Sequence, residues 1–236
     1  MELCIIIPAK NEALTLAETI GDIQNKLNGV IPFNVLVVND HSHDGTQELL
    51  EKLVLRYSNL KYISNEWDGG VGNAIRFGLS IWKGDIVALC MADGSDSPDD
   101  IILLYSAIYK DGYDCAFGSR FIRSGKVKNY PIIKLVLNRI FNTYVKFISR
   151  YRYNDFTNIF KVYHRRAIEE ISPLSSVGFN IGLEMSLKAF KKKLNIIIIP
   201  ISWKQRKAGD SKLKLGKNVR LYMTTLRKSI KDEASK

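Results

Sequence analysis

At 236 residues and 46% hydrophobic composition, the chain is long enough to bury one substantial core and short enough to do so as a single domain. No apolar run approaches the ~20 residues that span a bilayer. The strand-like opening carries neither a basic n-region nor a small-residue cleavage site, so neither a membrane-spanning nor a secreted protein is expected. The formal charge of +11 is uneven: residues 1–116 hold 8 basic and 17 acidic side chains, and residues 117–236 hold 27 and 7, which suits a protein whose second half meets phosphates on a ligand or a surface.

Short runs of Ile, Val and Leu at 3–7, 35–38, 60–63, 86–91 and 115–117 predict strands. The amphipathic segments between them, 12–27, 46–57, 72–82 and 98–109, predict helices. Apolar strands alternating with helices of this length imply an α/β domain built on a mainly parallel sheet with right-handed crossovers. Cys4, Cys90 and Cys115 fall in strand segments, where an odd number of small thiols reads as core packing in a reducing compartment. In the second half a helix is expected at 132–150, with Ile133, Val136, Leu137, Ile140, Phe141, Tyr144 and Phe147 on one wide apolar face. The ordinary expectation is a core helix with a basic edge; the alternative is an interfacial helix lying on an anionic membrane. Segment 194–201 reads as a strand, and Val219, Tyr222, Met223, Leu226 and Ile230 recur at helical spacing in a final basic helix.

Ligands of parallel sheets bind at the carboxyl ends of the strands, and the polar clusters of this chain fall there. Asp93-Gly94-Ser95-Asp96 ends the 86–91 strand, where two carboxylates can hold a divalent cation against a phosphate or, alternatively, form a solvated turn capping the helix that begins at Pro98. Asp40 ends a neighbouring strand, so the pair Asp40 and Asp93 describes a nucleotide-diphosphate site: one for ribose or base, the other for the metal-bridged diphosphate. Asp44-Gly45-Thr46 is a sharp turn that can start a helix with its amides toward that site. His41 and His43, in the same polar segment, are expected to be exposed and unengaged. Gly69-Gly70-Val71-Gly72-Asn73-Ala74 is not a dinucleotide fingerprint, because it does not follow the first strand and Ile75 stands where the third glycine belongs.

Several motifs occur in a telling order. They are Ile6-Ile7-Pro8-Ala9-Lys10-Asn11-Glu12, Val37-Val38-Asn39-Asp40, the glycines from Gly70 to Gly78, Gly118-Ser119-Arg120, Asp155-Phe156-Thr157, and Arg206-Lys207-Ala208-Gly209-Asp210-Ser211-Lys212. The ordered set resembles the inverting family 2 glycosyltransferases with the GT-A fold, and within them the polyprenyl-phosphate (dolichyl-phosphate) mannosyl- and glucosyltransferases. The resemblance implies one glycosyltransferase domain over 1–236: a sugar-nucleotide half at 1–119, an acceptor-side half at 120–215 and a basic C-terminal helix at 216–236. It implies that Pro8, Asn11, Glu12, Asp40, Gly70 and Gly72 hold the donor, and that Asp93 and Asp96 place Mg2+ or Mn2+. Arg120, Arg139, Thr143, Arg206, Ser211 and Lys212 then collect the donor and acceptor phosphates, with Asp93 and Arg206 as the catalytic residues.

The chain departs from the family pattern at four places. Met91-Ala92-Asp93 stands for Asp-x-Asp, Asn39 for a common Asp and Thr143 for a common Ser, and Thr157-Asn158-Ile159-Phe160-Lys161 replaces a Thr-Ser-Gly-Phe-Arg-like run. The implied reaction transfers a hexose from a GDP- or UDP-sugar to polyprenyl phosphate. It is placed at the inner face of a membrane, on a cytoplasmic protein held peripherally by the anionic surface. A hydroxyl acceptor would instead need a base, for which Glu184 or Asp155 is the candidate. A non-catalytic nucleotide- or nucleic-acid-binding protein is the remaining class; the basic half has neither a zinc motif nor a recognition-helix pattern, so no nucleic-acid partner is expected.

Overall fold

An uninterrupted apolar run makes β1 (Leu3–Ala9) a strand buried along its whole length. It pairs in parallel with β2 (Phe33–Asn39) on one side and β4 (Ile86–Leu89) on the other, with Leu3 opposite Phe33 and Ile86. The computed structural model describes residues 1–206 and 215–234, and the side chains of 1–206 and 219–230. Its main sheet has the order β3-β2-β1-β4-β7-β5-β8, with β3 (Leu60–Ser64), β5 (Cys115–Ser119) and β8 (Ile196–Pro200) where strands were expected. The antiparallel strand β7 (Lys161–His164), inserted between β4 and β5, was not expected. It is four residues long and opens on a fully buried lysine, so no apolar run announces it. Two three-residue strands, β6 (Lys126–Lys128) and β9 (Ser202–Lys204), form a separate parallel pair, too short and too lysine-rich to read as strands from pattern alone.

The alternation of side chains across β1 sorts the core into two layers. Leu3, Ile5 and Ile7 face α1 (Leu16–Leu27), α2 (Thr46–Arg56) and α4 (Pro98–Tyr109), while Cys4 and Ile6 face α3 (Val71–Ile81), α6 (Arg165–Ile171) and α7 (Ile181–Lys191). Each of these fully buried aliphatic side chains contributes roughly 1.5–3 kcal/mol. Helix α1 starts later than expected because the Glu12 carbonyl accepts from both Thr15 N (3.1 Å) and Leu16 N (2.9 Å), which makes a turn of the segment before it. Cys4, Cys90 and Cys115 are buried free thiols, and burial pushes Cys4 up to about 12.

The long helix α5 (Ile132–Ser149) corrects the expectation of a core helix. Only Asn142 and Val145 are buried, while Ile132 (77% exposed), Ile133 (74%), Ile140 (61%) and Phe147 (79%) face outward. The docked face carries Asn138, Asn142 and Val145 at helical spacing, and both asparagine amides donate to Thr157 Oγ1 at 3.0 Å. Polar fastening therefore holds this helix, and its apolar face is left over. The basic helix α8 (Leu215–Ala234) packs through Leu226 and Tyr222 beside α7.

At the start of α3 the chain runs against the 176–178 backbone. Gly72 N donates to Val177 O at 3.0 Å, and a Cβ at Gly72 would stand 2.4 Å from Ser176 O. Gly72→Ala is therefore expected to destabilise the fold by about 2–3 kcal/mol, read as a lower urea midpoint with an unchanged slope.

Candidate active site

The loops after β1, β2 and β4 converge on one cleft of about 530 Å³. Backbone turns after β1 and β2 are stitched together by short polar side chains. Asn11, at φ 50°, gives its N–H to Ser42 Oγ (2.9 Å) and accepts from His43 N (2.8 Å). Asp44 accepts from Ala13 N (3.2 Å), Thr46 N (3.0 Å) and the Thr46 hydroxyl (2.5 Å). Burial pushes its carboxyl up, but these donors outweigh that and hold it below the usual carboxylate range. The Thr46 amide is thus used by Asp44 and does not point at a ligand, contrary to the expectation for this turn. His41 and His43 are exposed, as expected, with His41 Nδ1 3.4 Å from Asp40.

Pro8, Glu12, Asp40 and Gly70 line one side of the cleft together with Lys10. Asp40 is 2% exposed and holds the glycine turn in place, accepting from Gly70 N at 2.9 Å and Asn65 Nδ2 at 2.8 Å. Gly70 sits at φ 145° with Val177 O only 2.4 Å from where a Cβ would be, so only glycine fits. Glu12 gives its amide to Thr46 Oγ1 (2.9 Å), and its carboxylate accepts from Thr15 (3.0 Å) and from Arg206 Nη2 (2.5 Å). Gly72 and Asn11 do not line the cleft; both shape the loops that do.

Asp93 and Asp96 stand at the floor, beyond β4. Asp93 Oδ1 accepts from Ser95 N (3.1 Å) and Asp96 Oδ2 from Met91 N (3.0 Å), and the Asp96 carboxyl is also hydrogen-bonded with the Cys90 thiol. Burial pushes Asp96 up to about 7; the Met91 amide and Arg120 oppose that, while Asp93 adds to it. Two neighbouring carboxylates that both line the cleft fit Mg2+ or Mn2+, which is bound through one or two carboxylates and completed by water and substrate phosphate. Among the described residues no group of three or more His, Cys, Asp or Glu offers a complete protein cage, so such an ion would need the diphosphate as co-ligand.

On the opposite wall Arg120, expected to collect phosphate, already has a carboxylate partner within the protein. Arg120 lines the cleft but is bound bidentate to Asp155, with Nε to Oδ2 at 2.9 Å and Nη2 to Oδ1 at 2.7 Å, both side chains buried. Burial alone would lower its pKa; Asp155 more than offsets this and keeps it charged. Its guanidinium also lies 5.7 and 5.8 Å from the rings of Tyr130 and Trp203, whose centroids are 4.6 Å apart with the planes tilted by 39° and which line this side of the cleft. Arg139 and Thr143 do not line the cleft: Arg139 donates to Asn154 O (2.9 Å) over the Phe121 ring, and Thr143 is exposed on α5. Arg206 lines it, while Ser211 and Lys212 lie outside the described residues. Sequence reasoning missed Lys134 and Asn138, one helical turn apart on α5, although their spacing puts them on one face. Tyr130 and Trp203 gave no such signal, since only the β6–β9 pairing joins them.

Both candidate bases prove to be structural. Asp155 is fully buried against Arg120, and Glu184 accepts from Ser175 N (2.9 Å), Ser176 N (2.7 Å) and Ser175 Oγ (3.1 Å), with Lys188 at 3.2 Å. Burial raises the Glu184 pKa, but the serine donors and Lys188 outweigh it and hold it below the usual range. Neither carboxylate lines the cleft. A lowered carboxylate pKa contributes stability that is present above the unfolded value near 4.5 and lost as pH falls through the folded value. Glu184→Gln is therefore expected to cost about 1.5–3 kcal/mol at neutral pH. The gap to wild type in thermal melts should hold above the ordinary value near 4.5 and narrow as pH falls below it.

The glycosyl transferase family 2 model matches residues 4–172. The chain is 31% identical over 225 residues to a polyprenol monophosphomannose synthase of Mycolicibacterium smegmatis, covering 93% of this chain and 83% of that protein. It is 30% identical over 240 residues to a dolichol-phosphate mannosyltransferase of Pyrococcus furiosus, covering 99% of this chain but only 65% of the other. Among solved structures, glucosyl-3-phosphoglycerate synthase of Mycobacterium tuberculosis, in complex with Mn2+, UDP and glucosyl-3-phosphoglycerate, superposes with a TM-score of 0.71 at 17% identity. That alignment covers 96% of this chain and 79% of the other, and at this identity it speaks for the fold alone.

Proposed function

The chain belongs to glycosyl transferase family 2 and has the GT-A fold, and from that premise we propose that it moves a hexose from a nucleoside-diphosphate sugar to a polyprenyl phosphate, with inversion, at the cytoplasmic face of a membrane. The observation that carries the acceptor assignment is the fate of the bases. Glu184 and Asp155 are consumed by structural hydrogen bonds outside the cleft. Inside it, Glu12 is paired with Arg206, Asp40 with Gly70 and Asn65, and the two remaining carboxylates, Asp93 and Asp96, are the pair that would hold the metal. A hydroxyl acceptor needs a proton taken from it; a phosphate monoester is already anionic and does not. Similarity to polyprenol- and dolichol-phosphate mannose synthases supports the same acceptor class.

In this reading Pro8, Lys10, Glu12 and Asp40 border the nucleoside, and Asp93 and Asp96 would hold Mg2+ or Mn2+, which when bound neutralises charge on the diphosphate. An acceptor phosphate oxygen forms the new bond to the anomeric carbon as the bond to the diphosphate breaks. The electron pair leaves on the diphosphate, and no proton moves. The chain's own task is alignment and charge stabilisation, with Lys10, Lys134, Arg206 and the Asp155-paired Arg120 among the cations lining the cleft. Asp93→Ala is expected to lower transfer by about 10²–10³-fold, and to make nucleoside-diphosphate binding insensitive to Mn2+ in thermal-shift titrations. Polyprenyl phosphate should be glycosylated while dephosphorylated polyprenol is not; comparable rates would replace the phosphate acceptor by a hydroxyl one.

The exposed apolar face of α5 supports a peripheral membrane attachment. No helix among the described residues is long and apolar enough to cross a membrane. Yet Ile132, Ile133, Val136, Ile140 and Phe147 form an exposed stripe, uncovered among the described residues, on a helix that borders the cleft through Lys134 and Asn138. Wild type is expected to float with anionic vesicles, less so at high salt. Ile133→Glu/Phe147→Glu should abolish flotation and leave nucleotide binding unchanged.

A further inference from the structure

The cleft wall opposite the carboxylates contains Thr157, Asn158 and Ile159. Beneath them lies Lys161, at 0% exposure. Its ammonium donates to the carbonyls of Phe156 (3.3 Å), Asn158 and Gly182 (3.4 Å). The rings of Phe117 and Tyr153 stand 5.4 and 5.5 Å away, each centroid within cation–π range. Three N–H bonds meet three carbonyls, which is the full donor capacity of an ammonium. A neutral amine has two N–H bonds and a lone pair, so one carbonyl would then face a lone pair instead of a donor.

The carbonyls joined in this way belong to two separate segments, 155–159 and the start of α7. Phe156 and Asn158 flank Thr157, whose hydroxyl accepts from Asn138 and Asn142 of α5. Gly182 opens α7, two residues before the Glu184 that holds the 175–176 turn. One turn away, Asp155 anchors Arg120. Truncating Lys161 would leave the carbonyls in a dry interior without their donor, at the point where the 155–159 segment is shaped.

We propose that Lys161 is a positioning residue for the acceptor: its ammonium, by tying the Phe156, Asn158 and Gly182 carbonyls, sets the Thr157–Asn158–Ile159 wall against which the acceptor phosphate is aligned, and loss of its proton relaxes that wall. The inference rests on the phosphate-acceptor reading above. Burial pushes Lys161 down to about 7, Asp155 pulls it up and Arg120 pushes it further down, so it changes charge within the working range of an enzyme. The other groups facing it do not. Burial raises Tyr153 of the preceding loop, Tyr163 of β7 and Cys115 of β5 well above their ordinary values, and Asp155 keeps Arg120 charged. Glu184 of α7 is held ionised by its donors.

The test measures donor and acceptor binding separately, with GDP and UDP plus Mn2+ as donor probes and farnesyl phosphate as a short acceptor, across pH 6 to 9. In wild type the farnesyl phosphate Kd should rise at least tenfold from pH 7 to 9 while nucleotide affinity stays within twofold. Lys161→Arg, which stays charged, should keep the neutral-pH acceptor affinity and lose the alkaline rise. Lys161→Met should bind the acceptor at least tenfold more weakly than wild type at neutral pH, with a flat profile that meets the wild-type value near pH 9 and with nucleotide binding intact. A flat wild-type profile, an alkaline rise that survives in Lys161→Arg, or a parallel loss of nucleotide and acceptor affinity in Lys161→Met with a matching fall in Tm would each overturn the assignment. Failure of wild type to bind either nucleotide would instead strike the transferase reading itself.

Discussion

The acceptor side of the molecule depends on one buried ion pair, Arg120 with Asp155. Arg120 closes β5 and Asp155 opens the segment that returns as β7, so the pair ties the end of a parallel strand to the start of the one antiparallel strand in the main sheet. Around it, Tyr153 Oη and Asn158 Nδ2 both donate to Gly118 O (2.8 and 3.2 Å), and Ser119 Oγ donates to Asn154 (2.7 Å). Desolvating two charges is costly, and it is repaid here by bidentate geometry plus a third bond from the Arg120 amide at 3.1 Å. Removing one partner would strand the other charge at a cost of about 3–5 kcal/mol. The same anchoring sets the Arg120 guanidinium near the Tyr130 and Trp203 rings, so an interaction that stabilises the fold also shapes a wall of the cleft.

The two halves of the chain meet across the cleft with opposite chemistry. The strand ends of the first half bring Glu12, Asp40, Asp93 and Asp96, and the later elements bring Arg120, Lys134 and Arg206. A diphosphate with a divalent cation fits such a boundary, because the cation offsets the carboxylates while the guanidinium and ammonium groups offset the phosphates. The Arg206–Glu12 contact shows the same complementarity within the protein, joining residues 194 positions apart. Helix α5 extends this arrangement outward: polar fastening to Thr157 inside, cations at the rim and an uncovered apolar face beyond.

The parallel core was legible because its signals are local. Apolar runs in β1, β2 and β4 and amphipathic spacing in α1 to α4 report burial at each residue, and the polar residues at the strand ends mark the ligand edge. Pro8, Glu12, Asp40, Gly70, Asp93, Asp96 and Arg206 were placed at that edge by motif and do line the cleft. For α5 the periodicity was correctly read, but the sequence left its orientation open between a core face and an interfacial one. A hydrophobic stripe says that a face is apolar, not that another element covers it, and the covering here was decided by Asn138 and Asn142 finding Thr157.

Sequence by itself therefore determined the α/β architecture, the family and the identity of the carboxylates at the carboxyl edge. Tertiary structure alone decided which charges are available. It took Arg120 into a pair with Asp155, turned Glu184 into a loop anchor, paired Tyr130 with Trp203, and enclosed Lys161 among three carbonyls. The physical reason is that patterning along the chain reports whether a position is dry, whereas the state of an ionisable group depends on which distant partner shares that dry space.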